Sequence, residues 1–64
     1  MSNLNLMPNI SGADDFYAEL LAIHDGKSKA ESDAINTRLI LLLANHVGDR
    51  EVLREAMAKA AHQP

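Results

Sequence analysis

The sequence of 64 residues contains no cysteine and no tryptophan, and its only aromatic residues are Phe16 and Tyr17. Without cysteine the chain has neither disulfides nor thiolate metal ligands, which often stabilise domains of this size. Its core must therefore be aliphatic, which favours helices, because sheets prefer β-branched and aromatic residues. A chain this short buries only ~60% of its unfolded surface. Regular helix packing or a partner has to supply the remaining stability.

Basic residues and long apolar runs are also scarce. Six lysines and arginines stand against nine acids, for a net charge of −3, so no cationic stripe for nucleic acid is expected. The longest apolar run covers residues 39–44, whereas ~20 residues are needed to span a bilayer. No basic segment precedes an apolar stretch, as it does in a signal peptide. We expect a cytoplasmic protein that binds neither nucleic acid nor membrane.

Residues 1–10 are predicted to form an extended arm, and residues 11–64 a single helical domain. Leu4, Leu6 and Ile10 alternate with asparagines, and Pro8 disfavours helical geometry in the residue before it. Two interpretations stay open. Either the arm packs on its own chain, or it lies across a groove of a partner, which makes Leu6 an interface candidate.

Cap residues predict the two helices that follow the first one. Ser28 and Glu31 have the spacing of a capping box, and Gly48 supplies a left-handed C-terminal residue. These signals predict a helix at about 28–47. Asp49 is a typical N-cap for a third helix at 50–61.

The first helix has weaker signals. Its start is predicted near Ser11 or Asp14, since Ser11 stands three residues before Asp14. Gly26 is expected to end it, which gives a helix of about 14–25. Short loops make neighbouring helices antiparallel. The chain is therefore predicted to be all-α: a small antiparallel three-helix bundle, or a helical hairpin with an appended third helix.

The second helix is apolar on two faces, which is typical of a central helix. Its main stripe contains Ile35, Leu39, Leu42, Leu43 and His46, and its second stripe contains Ala30, Ala34, Thr37, Leu41 and Ala44. Leu41 lies ~160° around the helix from Leu39 and Leu43, outside a core centred on the main stripe. We therefore expect Leu41 at a contact that is at least partly intermolecular. The interface candidates are Leu6, Thr37, Leu41, Ala44 and Asn45.

The polar residues on or beside these stripes are candidates for recognition of a polar group. They are Tyr17, His24, Asn36, Arg38 and His46. The two histidines are either partly buried rings that are hydrogen-bonded within the chain, or part of an interface. Asn36, Arg38 and Asn45 form either a polar edge of the bundle or a device that fixes register against a partner.

No residue pattern predicts catalysis, a cofactor site or a metal site. His24, His46 and His62 are too far apart in sequence for a recognisable ligand cluster. The serines read as caps or surface residues rather than as nucleophiles beside a base. A chain of this length also has little room to enclose a ligand pocket. We expect no enzymatic activity.

Several segments carry a family resemblance. They are Asp15-Phe16-Tyr17, His24-Asp25-Gly26, Asn36-Thr37-Arg38-Leu39, LLLANHVGD at 41–49, and Val52-Leu53. Over about residues 4–60 the chain resembles domain-of-unknown-function family 2783, short proteobacterial proteins that tend to be encoded beside flavin-dependent aromatic-ring monooxygenases. The resemblance implies a small companion of such an oxidoreductase and offers no catalytic residues.

These observations predict a non-catalytic accessory protein. It would dock on a larger enzyme, for which a flavin-dependent aromatic-compound oxidoreductase is the candidate, and redox chemistry would stay with the partner's flavin. Two alternatives remain. One is a structural homo-oligomer in which the second stripe pairs with itself. The other is a carrier that holds a small molecule among Tyr17, His24 and His46.

Overall fold

The chain folds into three helices in the computed structural model, which describes residues 3–62. They are α1 (Ala13–Ala22), α2 (Lys29–Val47) and α3 (Arg50–Ala61), and no residue of the described part lies in a strand. The predicted all-α class is confirmed.

The boundaries of α2 and α3 are the predicted ones. The backbone N–H of Glu31 donates to the Ser28 hydroxyl at 3.1 Å, and the backbone N–H of Ser28 donates to the Glu31 carboxylate at 2.8 Å, which completes the capping box. Gly48 ends α2 at a φ of 73°, where a side chain would be strained. The Asp49 carboxylate accepts from the N–H groups of Glu51 and Val52 and so begins α3.

The prediction for α1 was right about its start to within one residue, but wrong about its cap and its end. Its N-cap is Gly12, in left-handed conformation and with no side-chain hydrogen bond, so Ser11 does not cap the helix. The regular helix stops at Ala22, and residues 23–26 continue as a turn before Gly26 reverses the chain at a φ of 71°. Local signals were weakest here because Ser11 lacks a Glu or Gln three residues later.

The helices form an open array. No two of them pack closely along their lengths, and no residue of the described chain is buried. The solvent-accessible surface is 5783 Å², whereas a compact protein of this mass exposes about 4,000 Å². The radius of gyration is 13.6 Å, against about 11 Å for a compact domain of this length. The chain by itself therefore leaves its apolar side chains largely in water.

The N-terminal arm contacts α3. Residues 3–10 are neither helix nor strand, and the backbone N–H of Leu4 donates to Oε2 of Glu55 at 3.3 Å. Leu4 is the one partly buried residue between 3 and 10. The arm is thus held near its start, while Met1 and Ser2 lie outside the described residues.

A separate observation concerns membranes. None of the helices within residues 3–62 has both the length and the apolar character needed to cross a bilayer.

Candidate functional site

The middle of α2 is the most exposed apolar part of the helical region. Ile40, Leu41, Leu42 and Leu43 are each between 52% and 69% exposed. Successive helical residues point ~100° apart, so these four side chains surround one full turn. A helix that is apolar all round is normally buried, in a protein core or in a membrane. This turn of α2 is instead exposed on all sides in the structure.

One side of this turn opens onto a shallow groove, which we call the α2 groove. It is lined by Arg38, Leu41, Leu42 and Asn45 and has a volume of about 360 Å³. These four positions have the spacing i, i+3, i+4 and i+7, which places them on one face of the helix. Two leucines thus lie between a cation and an amide.

The polar ends of the α2 groove have no partner within the described chain. Arg38 and Asn45 are exposed, and neither side chain forms a hydrogen bond or an ion pair with a residue between 3 and 62. Arg38 can only donate, whereas the Asn45 amide can both donate and accept. The groove therefore presents complementary groups at its two ends.

A second surface, the α3 groove, lies between the arm and α3. Its volume is about 460 Å³, and its lining residues are Leu4, Leu6, Glu55, Ala58, Lys59 and His62. The Leu4–Glu55 hydrogen bond joins its two walls. The chain's own arm therefore forms part of this groove.

Three of the five interface candidates line one of the two grooves, and two line neither. Leu6 lines the α3 groove, while Leu41 and Asn45 line the α2 groove. Thr37 is exposed, and its hydroxyl donates to the Asp33 carbonyl at 3.0 Å within the helix. Ala44 is partly buried. Of the five candidates, the α2 groove brings two together, and it adds Leu42 and Arg38.

The candidates for polar recognition are not assembled into a site. Among the described residues, the side chains of Tyr17, His24, Asn36 and His46 form no hydrogen bond, and none of them lines either groove. His24 is partly buried, as predicted, but His46 is exposed, so the interpretation of two partly buried, hydrogen-bonded rings was wrong. Only Arg38 of this set lies in a groove.

The prediction for the main stripe of α2 was also only partly right. Ile35 and Leu39 are partly buried, but Leu42 and Leu43 stand in solvent. Leu42 was assigned to the internal core and instead lines the α2 groove beside Leu41. The missed signal is the order of residue types at 38, 41, 42 and 45, which is polar, apolar, apolar, polar.

The electrostatic interactions found among the described residues lie at a helix cap and on a solvent-exposed helix face. The hydrogen bond from the Ser28 backbone, followed by that with its hydroxyl, holds the pKa of Glu31 below its ordinary value of 4.5. Lys29 and Asp33 form an exposed ion pair at 2.9 Å, one turn apart on α2. Within residues 3–62 no three histidine or carboxylate side chains gather as metal ligands would. The lowered pKa of Glu31 thus belongs to a helix cap that lies outside both grooves.

Comparison with known proteins gives a family but no function. No curated protein and no solved structure is significantly similar to this chain. A family model described as a protein of unknown function, DUF2783, matches residues 4–62. The match covers nearly the whole chain, from the arm to the end of α3, and the chain therefore belongs to the DUF2783 family.

Proposed function

We propose that this protein is a non-catalytic accessory module, which docks on a larger protein and completes its apolar core in that complex. The observation that carries the proposal is the lack of any buried residue between 3 and 62. Nearly half of the chain is apolar, and water contact with so much apolar surface is unfavourable by roughly 25 cal/mol per Å². Burial of this apolar surface against another chain removes the unfavourable contact with water.

The amount of uncovered surface supports the same conclusion. The chain exposes about 1,800 Å² more than a compact protein of its mass. A standard protein interface buries ~800 Å² on each partner. The excess therefore corresponds to about two interfaces on every copy of this chain.

The arm and α1 carry the exposed apolar side chains that we propose for docking on the larger protein. Between residues 6 and 23 the exposed large apolar side chains are Leu6, Met7, Ile10, Phe16, Tyr17, Leu21 and Ile23. Aromatic and methionine side chains are enriched in protein interfaces. Tyr17 combines a wide apolar ring with a hydroxyl that has no partner in the described chain. We call residues 6–23 the docking segment.

The resemblance described above suggests the first partner to test, a flavin-dependent aromatic-ring monooxygenase of the kind that members of the family tend to be encoded beside. The experiment mixes the full chain with that enzyme and measures complex mass by sedimentation. We expect a complex, and we expect the chain's thermal transition to rise in the enzyme's presence, because a partner that binds only the folded state stabilises it. Absence of binding would remove this enzyme class from the proposal.

A matched pair of variants tests the docking segment. Tyr17→Asp places a charge where an aromatic ring is proposed to be covered, and we expect it to weaken the complex at least about tenfold. Met57→Asp makes the same change at a residue of α3 that is similarly exposed, and we expect it to leave the complex intact. A compact wild-type monomer that buries its apolar side chains without any partner would contradict the accessory role.

A further inference from the structure

We infer that the α2 groove is a homodimer surface, in which two copies of this chain pair their α2 helices antiparallel about a two-fold axis between Leu41 and Leu42. This goes beyond docking on a larger protein, and it uses a different face. The occupant of the groove is a second copy rather than the larger protein because the groove is complementary to itself.

The self-complementarity lies in the order of the four lining residues. A two-fold axis between Leu41 and Leu42 places residue 38 of one copy opposite residue 45 of the other. Because of the two-fold symmetry, this contact between residues 38 and 45 occurs twice in the dimer. Arg38, which only donates, then meets Asn45, whose amide oxygen accepts. Both side chains lack a partner in the described part of their own chain, and the dimer supplies one for each.

The apolar part of the stripe fits the same arrangement. Leu41 and Leu42 of the two copies meet at the axis, so four leucines fill the centre between two Arg–Asn pairs. A parallel pairing would instead place Arg38 against its own counterpart, which is unfavourable. In the antiparallel pair the two Arg38 residues are separated by seven helical positions, about 10 Å along the axis. That distance is comparable to the Debye length at physiological ionic strength.

The surface area is also sufficient for two separate contacts. The excess of about 1,800 Å² exceeds the ~800 Å² that one partner contributes to a standard interface. A dimer through α2 therefore leaves the docking segment, which begins at Leu6 and includes Tyr17, available for the larger protein.

The first test compares two neighbouring residues of equal exposure. Ile40 and Leu41 are 65% and 63% exposed, but they point ~100° apart, and Ile40 lies outside the groove. We expect the full-length wild-type chain to sediment as a dimer, Leu41→Glu as a helical monomer, and Ile40→Glu as a dimer. A monomeric wild type, a dimeric Leu41→Glu or an equal loss in both variants would overturn the inference.

The polar pairs give a second test that does not depend on a disruptive substitution. Asn45→Asp turns each Arg–Asn pair into an ion pair, and we expect the dimer dissociation constant to fall up to about tenfold at low salt, less at high salt. Asn45→Arg opposes two cations at each end and should weaken the dimer. The double variant Arg38→Asn with Asn45→Arg exchanges the two residues and should restore it, because the stripe remains self-complementary.

These variants separate the dimer from its alternatives. Weakening by Asn45→Asp would indicate a parallel pair and overturn the antiparallel arrangement, and failure of the exchanged double variant to restore the dimer would overturn self-pairing. A wild-type chain that is monomeric yet binds the monooxygenase would refute this inference while the proposed function stands. A chain that dimerises through α2 but binds no larger protein would refute the proposed function while this inference stands.

Discussion

The α3 groove and the α2 groove are built from similar side chains, but only the α3 groove has the chain's own N-terminal arm as one of its walls. Leucines and a few polar groups line both. In the α3 groove the arm supplies Leu4, whose N–H is bonded to Glu55. In the α2 groove Arg38 and Asn45 have no partner within residues 3–62. Similar composition therefore occurs in two settings: a polar group of the α3 groove is bonded within the chain, whereas those of the α2 groove are not, and this difference is the reason for our proposal that a second copy binds there.

The largest effect is expected from a matched substitution in the two grooves. Leu6 and Leu42 are 66% and 69% exposed, so replacing either with glutamine costs the isolated chain little. If α2 pairs with a second copy, Leu42→Gln loses a buried leucine twice and should weaken the dimer at least about tenfold. Leu6→Gln should leave the dimer unchanged and weaken binding to the larger protein. Equal effects of the two variants on dimer mass, measured by sedimentation, would remove the distinction between the grooves.

Deletion of residues 1–9 is expected to have the next largest effect. It removes the Leu4–Glu55 hydrogen bond and the apolar start of the docking segment. Because the arm holds no buried residue within its described part, helical circular dichroism should remain nearly intact, while affinity for the larger protein falls. Glu55→Gln keeps an acceptor for the Leu4 N–H and serves as the control. Loss of helicity on deletion would place the arm among the elements that hold the fold together.

A smaller effect is expected at the start of α2. Ser28→Ala removes the hydroxyl that accepts from the Glu31 N–H, and a lost cap of this kind costs about 1 kcal/mol. Thermal unfolding followed by circular dichroism should show a lower melting temperature. Ser11→Ala is the matched control, because Ser11 precedes an N-cap that uses no side chain, and its melting temperature should not change. A loss at Ser11 equal to that at Ser28 would contradict the observed caps.

The smallest effect is expected from acid. The capping box lowers the pKa of Glu31 in the folded chain below 4.5, so the stabilisation is fully present above that value and is lost as the pH falls through the lowered pKa. Glu31→Gln can form the same box but cannot titrate. Between pH 6 and pH 3 the melting temperature of the wild type should therefore fall more than that of Glu31→Gln. Parallel pH profiles would show that the carboxylate contributes nothing there.

Local sequence was sufficient where a helix end is specified by one or two residues. The Ser28–Glu31 box, Gly48 and Asp49 predicted the limits of α2 and α3, since a cap satisfies backbone groups of its own helix and needs no distant partner. The same logic failed at α1, where Gly12 provides a backbone turn without a side-chain signal.

The faces of the helices were less predictable. Periodicity assigned Leu42 to the core together with Leu39, but only Leu39 is partly buried. A helical wheel indicates which side chains share a direction, and it does not indicate which direction another helix covers. Leu41 was predicted as an interface candidate because it lies away from the main stripe, and Asn45 because an asparagine can fix register against a partner. Arg38 was identified only as a polar residue, because its relation to Asn45 depends on the groove.

The sequence by itself determined the secondary structure class, two of the three helices with their caps, and an apolar content of 47%, which is ordinary for a globular chain. These properties are local or compositional, so they do not depend on how the helices are arranged. Only the tertiary structure decided that the helices stay open, that the arm meets Glu55, and that Leu41 and Leu42 share a groove with Arg38 and Asn45. Such relations depend on which surfaces remain uncovered after the chain has folded, and burial is a property of the whole arrangement.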